Sequence, residues 1–113
     1  MLTVRNNIKL YHWATNVFAR HKATCDFVSA MDGLIDTFVE TYSSRYGKPK
    51  GLMTLELAVF SDAEAMQYLD NFATFLVTEL PKYVNAKTDS DLLNLRDEML
   101  NQVHQTLYLF TFK

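Results

Sequence analysis

Residues 11–40 hold two of the three histidines in this chain, its only tryptophan, and the acids Asp26, Asp32, Asp36 and Glu40. His12 and His21 are nine positions apart, and Asp36 and Glu40 follow fifteen and nineteen positions after His21. Imidazole and carboxylate together are donors to a divalent metal, zinc among them. Asp32, Asp36 and Glu40 recur every four residues, so on a helix they form one stripe with neighbours about 6 Å apart along the axis. Like charges at that spacing cost a few tenths of a kcal/mol per pair unless a cation sits among them. A metal ion is one such cation, which makes Asp36 and Glu40, with Asp32 a weaker addition, candidate ligands on the same helix as His21.

One chain cannot assemble that set around one ion. Fifteen residues of helix separate His21 from Asp36 by about 22 Å. Two copies of the helix running antiparallel about a two-fold axis set the first half of one against the second half of the other. The ligand set therefore predicts a homo-oligomer, at least a two-fold dimer, with a site shared between copies.

Helices must carry these residues. Val4, Ile8, Tyr11, Thr15 and Phe18 step by three and four, the spacing of one helix face, and the helix-weak Thr15, Asn16 and Val17 offer a place for a tight connection. From Phe18 or His21 onward Cys25, Val28, Met31, Ile35, Phe38 and Tyr42 continue the same spacing, predicting a second helix of about seven turns. Gly47, Pro49 and Gly51 break the chain. Residues 52–60 show no clean period and read as a buried connector, a short strand or a helical turn.

Ser61 and Glu64 form a capping box that opens a third helix, with Met66, Leu69, Phe72, Ala73, Leu76 and Leu80 on its apolar face and Pro81 at its end. Thr88 or Ser90 caps a fourth, lined by Leu92, Leu95, Met99, Val103, Leu107 and Phe110. The prediction is an all-α chain, an antiparallel four-helix bundle with one longer link between the second and third helices, in one domain over residues 1–113.

Composition narrows the function. The chain is 49% hydrophobic and 21% charged with a formal net charge of -2, the profile of a globular protein. Its eleven Lys and Arg are scattered, which argues against nucleic acid as a partner. No apolar run is long enough to span a membrane. The lone Cys25 forms no internal disulfide, and the absence of a signal-peptide pattern predicts a cytoplasmic protein. Cys25 reads as a small buried residue, His104 as a surface histidine, and Trp13 and Phe18 as packing residues that close the site from water.

The order His12-Trp13, then Phe18-x-x-His21, then Asp36 and Glu40 resembles the Dps mini-ferritins of the ferritin-like superfamily. The resemblance covers roughly residues 8–51, including the Gly- and Pro-containing turn after the second helix. It implies a ferritin-like bundle, non-haem iron, and a ferroxidase centre in which His12 and His21 of one subunit face Asp36 and Glu40 of its two-fold partner. The sequence departs from that family in a shorter His12 to His21 gap and in lacking a lysine-rich N-terminal tail. The departures favour an alternative: a non-catalytic structural or interaction protein on the same fold, with a decayed site, of a kind associated with viruses and found in the virion or the infected-cell cytoplasm.

Overall fold

The computed structural model describes all 113 residues and contains no strand. Four helices follow in order: α1 (Leu2–Ala14), α2 (Phe18–Tyr46), α3 (Asp62–Thr78) and α4 (Ser90–Leu109), with a short 3-10 turn at Leu80–Tyr83. Each buries one stripe. Val4, Ile8 and Tyr11 of α1, Phe27, Met31, Ile35 and Phe38 of α2, Leu69, Phe72 and Leu76 of α3, and Leu92, Met99 and Val103 of α4 meet in one apolar cluster. No helix is long and apolar enough to cross a membrane.

The α1–α2 connection is three residues long, and its conformation follows from its composition. Thr15 and Val17 are extended, as β-branched side chains favour, and the Thr15 hydroxyl accepts the Val17 N–H at 3.2 Å. This turn folds α2 back along α1, so that Arg5 reaches Asp32 while His12 reaches His21 and Thr24. With 29 residues at about 1.5 Å each, α2 runs the full 42 Å length of the molecule. It ends at Gly47, whose φ of 100° lies in the left-handed region open to glycine.

The two ends of the bundle are tied by polar networks. At one end Tyr11 donates to Asp62 at 2.6 Å, Arg20 donates to the Tyr11 hydroxyl and to the Asp62 carbonyl, and the Arg20 guanidinium lies 4.6 Å from the Phe110 ring. At the other end Arg45 makes two 2.7 Å bonds to Asp91 and a longer one to the buried Asp89. The Asn85 amide and the Tyr46 hydroxyl also donate to Asp89, and these donors hold its carboxyl below the usual range.

Asp89 corrects the expected cap of α4. Neither Thr88 nor Ser90 caps the helix; Ser90 is its first residue, Asp89 occupies the cap position, and the Asp89 carboxylate turns away to Asn85, Tyr46 and Arg45. The Ser61–Glu64 capping box of α3 forms with both of its bonds, at 3.2 and 3.3 Å. Thr78 ends α3, and Pro81 sits in the first turn of the 3-10 segment, where its missing N–H costs nothing.

Residues 47–61 cross from the Arg45 end of the bundle to the Tyr11–Arg20 end, where Asp62 begins α3. They are neither a buried connector nor a helical turn. Leu52, Met53, Leu55, Leu57 and Val59 are all exposed, and no backbone–backbone hydrogen bond forms between residues 48 and 60. The crossover is held instead by the buried Asn7, whose carboxamide donates to the Glu56 carbonyl at 3.1 Å and accepts from the Ala58 N–H at 3.0 Å.

Candidate metal centre

The α1–α2 turn brings His12 and His21 face to face. Their rings stack with centroids 3.9 Å apart and planes 17° apart. Each ring is fixed by the other's backbone: His12 Nδ1 donates to the His21 carbonyl at 2.7 Å, and His21 Nδ1 donates to the His12 carbonyl at 2.9 Å. A carbonyl only accepts, so both Nδ1 atoms carry the hydrogen, and in the neutral ring the lone pair sits on Nε2. Metal-binding histidines are held in this way, with one nitrogen tied to a carbonyl and the other available.

Thr24 completes the clamp. It is fully buried, its hydroxyl donates to the Arg20 carbonyl at 2.7 Å, and its oxygen lies 3.0 Å from His12 Nδ1. Burial pushes the His12 imidazole below its ordinary 6.5; its bond to the His21 carbonyl opposes that shift, and the charges of His21 and Lys9 add to it. A ring that stays neutral is the form that binds a metal.

The acids stand apart. Asp36 and Glu40 are exposed on α2 and take part in no ion pair of the chain. No three His, Cys, Asp or Glu side chains converge within one copy. Asp32 differs from its two neighbours on the stripe, because Arg5 grips both of its oxygens, at 2.8 and 3.3 Å. That bond holds the Asp32 carboxyl below its usual value. The cation beside Asp32 is thus a guanidinium, and its role as a weaker ligand is withdrawn.

Three further expectations are corrected. Trp13 and Phe18 are 67% and 73% exposed, so neither seals the histidines from water, and Lys9 lies over the open Trp13 ring at 5.2 Å. Cys25 is exposed rather than buried. The face of α2 that enters the core runs through Ala23, Thr24, Phe27 and Val28, which turns Cys25 outward. His104 is exposed, as its position on α4 predicts. Thr24 and Asn7 escaped sequence reasoning; the available signal was a polar residue at a core position of each apolar stripe.

The largest concavity, about 620 Å³, lies elsewhere, over Val39, Glu40, Ser43, Ser44, Lys48 and Pro49, with Glu40 the one acid among its walls. It holds no ligand set. Size alone therefore points away from the imidazole pair, whose donor chemistry is the better guide to a metal.

Residues 12–110 match the sequence model of DUF5856, a family of unknown function. The chain belongs to that family. The matched span begins at His12 and includes His21, Thr24, Asp36 and Glu40, whereas Arg5 and Asn7 precede it. No curated protein and no solved structure matches the DUF5856 chain.

Proposed function

We propose that this protein is a ferritin-like, Dps-like iron-binding protein that oxidises and sequesters ferrous iron at a centre completed between two copies. His12 and His21 of one copy bind the ion through Nε2, and Asp36 and Glu40 of the second close the site from the opposite side. The observation that carries the reading is the reciprocal clamp, which fixes both imidazoles in the ligand tautomer. The donor set fits: neutral nitrogen holds the ferrous ion, and hard carboxylate oxygen favours the ferric product. Zinc suits the same ligands and is the competing occupant.

The course of the chain adds support. Arg45 of α2 meets Asp91 at the start of α4, Arg20 meets Phe110 at its end, and the crossover carries the chain from the end of α2 to the far end of the bundle before α3 begins. A four-helix bundle with antiparallel neighbours and one long crossover is the ferritin-like arrangement.

The test is ferrous oxidation followed by absorbance, beside metal content and mass in solution, for the natural chain and for the His21→Ala, Asp36→Ala double variant. The natural chain oxidises ferrous iron and the double variant is slower by about a hundredfold or more. Equal rates overturn the reading.

A second reading has its own observation. The stacked rings already tie α1 to α2 with every Nδ1 satisfied, and Trp13 and Phe18 leave the exposed His21 uncovered. On that reading the histidines are a staple, and the chain is a structural or interaction protein on the same fold. Purified chain free of iron and zinc, with stability unchanged by either metal, supports it.

A further inference from the structure

We propose that residues 53–61 form a strand that pairs antiparallel with the same residues of a second copy of this chain, about a two-fold axis at Leu57. The preceding reading needs a second copy; this inference names the surface that receives it and stands without any metal.

The backbone sets the edge. One carboxamide, that of Asn7, bonds the C=O of residue 56 and the N–H of residue 58. In an extended chain those two groups face the same side, and the N–H and C=O of residues 55, 57 and 59 face the other. No backbone–backbone bond meets them there. Phe60 packs on the Tyr68 ring, centroids 4.6 Å apart, and anchors the end of the segment, while Leu55, Leu57 and Val59 stand 40%, 56% and 64% exposed. An unpaired, apolar, extended edge is a template for another strand.

Charge selects a second copy in antiparallel register. Lys48 and Lys50 precede the apolar stretch, and Asp62 and Glu64 follow it. Antiparallel self-pairing sets bases toward acids, whereas a parallel pair sets like against like. Centring on Leu57 places Leu57 across from its copy, Leu55 across from Val59 and Glu56 across from Ala58. Centring on Glu56 sets two carboxylates face to face, and centring on Leu55 sets Val59 against Gly51.

The test uses the full chain in a Cys25→Ser background. Residue 57 faces itself across a hydrogen-bonded pair with Cα atoms about 5.5 Å apart, within disulfide reach. The two copies of residue 53 lie eight residues apart along the ladder, about 27 Å. Leu57→Cys yields a disulfide-linked dimer under mild oxidation, and Met53→Cys does not. Equal cross-linking of both, or none at Leu57, overturns the proposal.

Light scattering gives the second arm. Leu57→Lys keeps the helical circular dichroism and weakens the dimer by about a hundredfold or more, from two buried leucines lost and two like charges opposed. A dimer that survives Leu57→Lys, or a natural chain that is monomeric at every concentration, overturns the strand edge. A Leu57-linked dimer that oxidises no ferrous iron supports the edge and counts against the metal reading alone.

Discussion

The two halves of α2 treat their polar residues in opposite ways. In the first, His21 and Thr24 are tied to His12, to backbone carbonyls and to one another. In the second, Asp36 and Glu40 lie in water without a partner in the same chain. Held rings present fixed lone pairs, while loose carboxylates turn to meet what arrives. The first half is therefore organised before any ligand binds, and the second gains order only from outside the chain.

That contrast can be broken by substitution. His12→Ala empties a buried position and removes one donor from the His21 carbonyl, so it costs about 2–4 kcal/mol in urea unfolding. Thr24→Val keeps the shape and removes the hydroxyl; we expect a loss of about 1–2 kcal/mol and metal binding weaker by about tenfold, read by competition with a chelator.

Acid sharpens the same comparison. The His12 ring is held below 6.5 when folded, so in the window under pH 6.5 the unfolded chain takes up a proton that the folded chain refuses. Stability is full above that window and falls as pH drops through the lowered value. Unfolding at stepped pH shows this slope, and His12→Gln flattens it. The carboxyls of Asp32, Asp62, Asp89 and Asp91 are also held low, but they lose their contribution only below 3.8, which separates the two effects.

The smallest effect belongs to the other half. Asp36→Asn with Glu40→Gln changes stability by no more than about 0.5 kcal/mol, on the stabilising side, because like charges four residues apart are removed. The same pair of changes abolishes ferrous oxidation if the proposed centre forms. A cost near that of His12→Ala would show that the acids are structural and would dissolve the contrast.

What the sequence disclosed follows from how local each signal was. The break at Thr15–Val17, the Ser61–Glu64 box, the stop at Pro81 and the apolar stripes of α3 and α4 rest on neighbouring residues, and the fold keeps them with the exception of the exposed Met66. The rotation of α2 was hidden, because Cys25 and Thr24 fit two overlapping faces and only the turn before Phe18 decides which goes inward. Asp89 reads as a helix-start acid, but its partners Arg45 and Tyr46 lie more than forty positions away. Residues 52–60 carry leucines without a period, and nothing local says that one asparagine of α1 will hold them. As for the centre, only the resemblance put His12 and His21 on one site, while the tie that fixes their tautomers runs through backbone carbonyls, which no side-chain pattern records.

The crossover has one more consequence. Its main chain leans on a single carboxamide, while the helices before and after it share one core. The molecule is in effect two hairpins strapped together by a loose thread, and cohesion between the halves comes from packing rather than from covalent continuity. A cut in the thread would leave the halves associated, and natural variation in its length and sequence can proceed without disturbing the imidazole clamp.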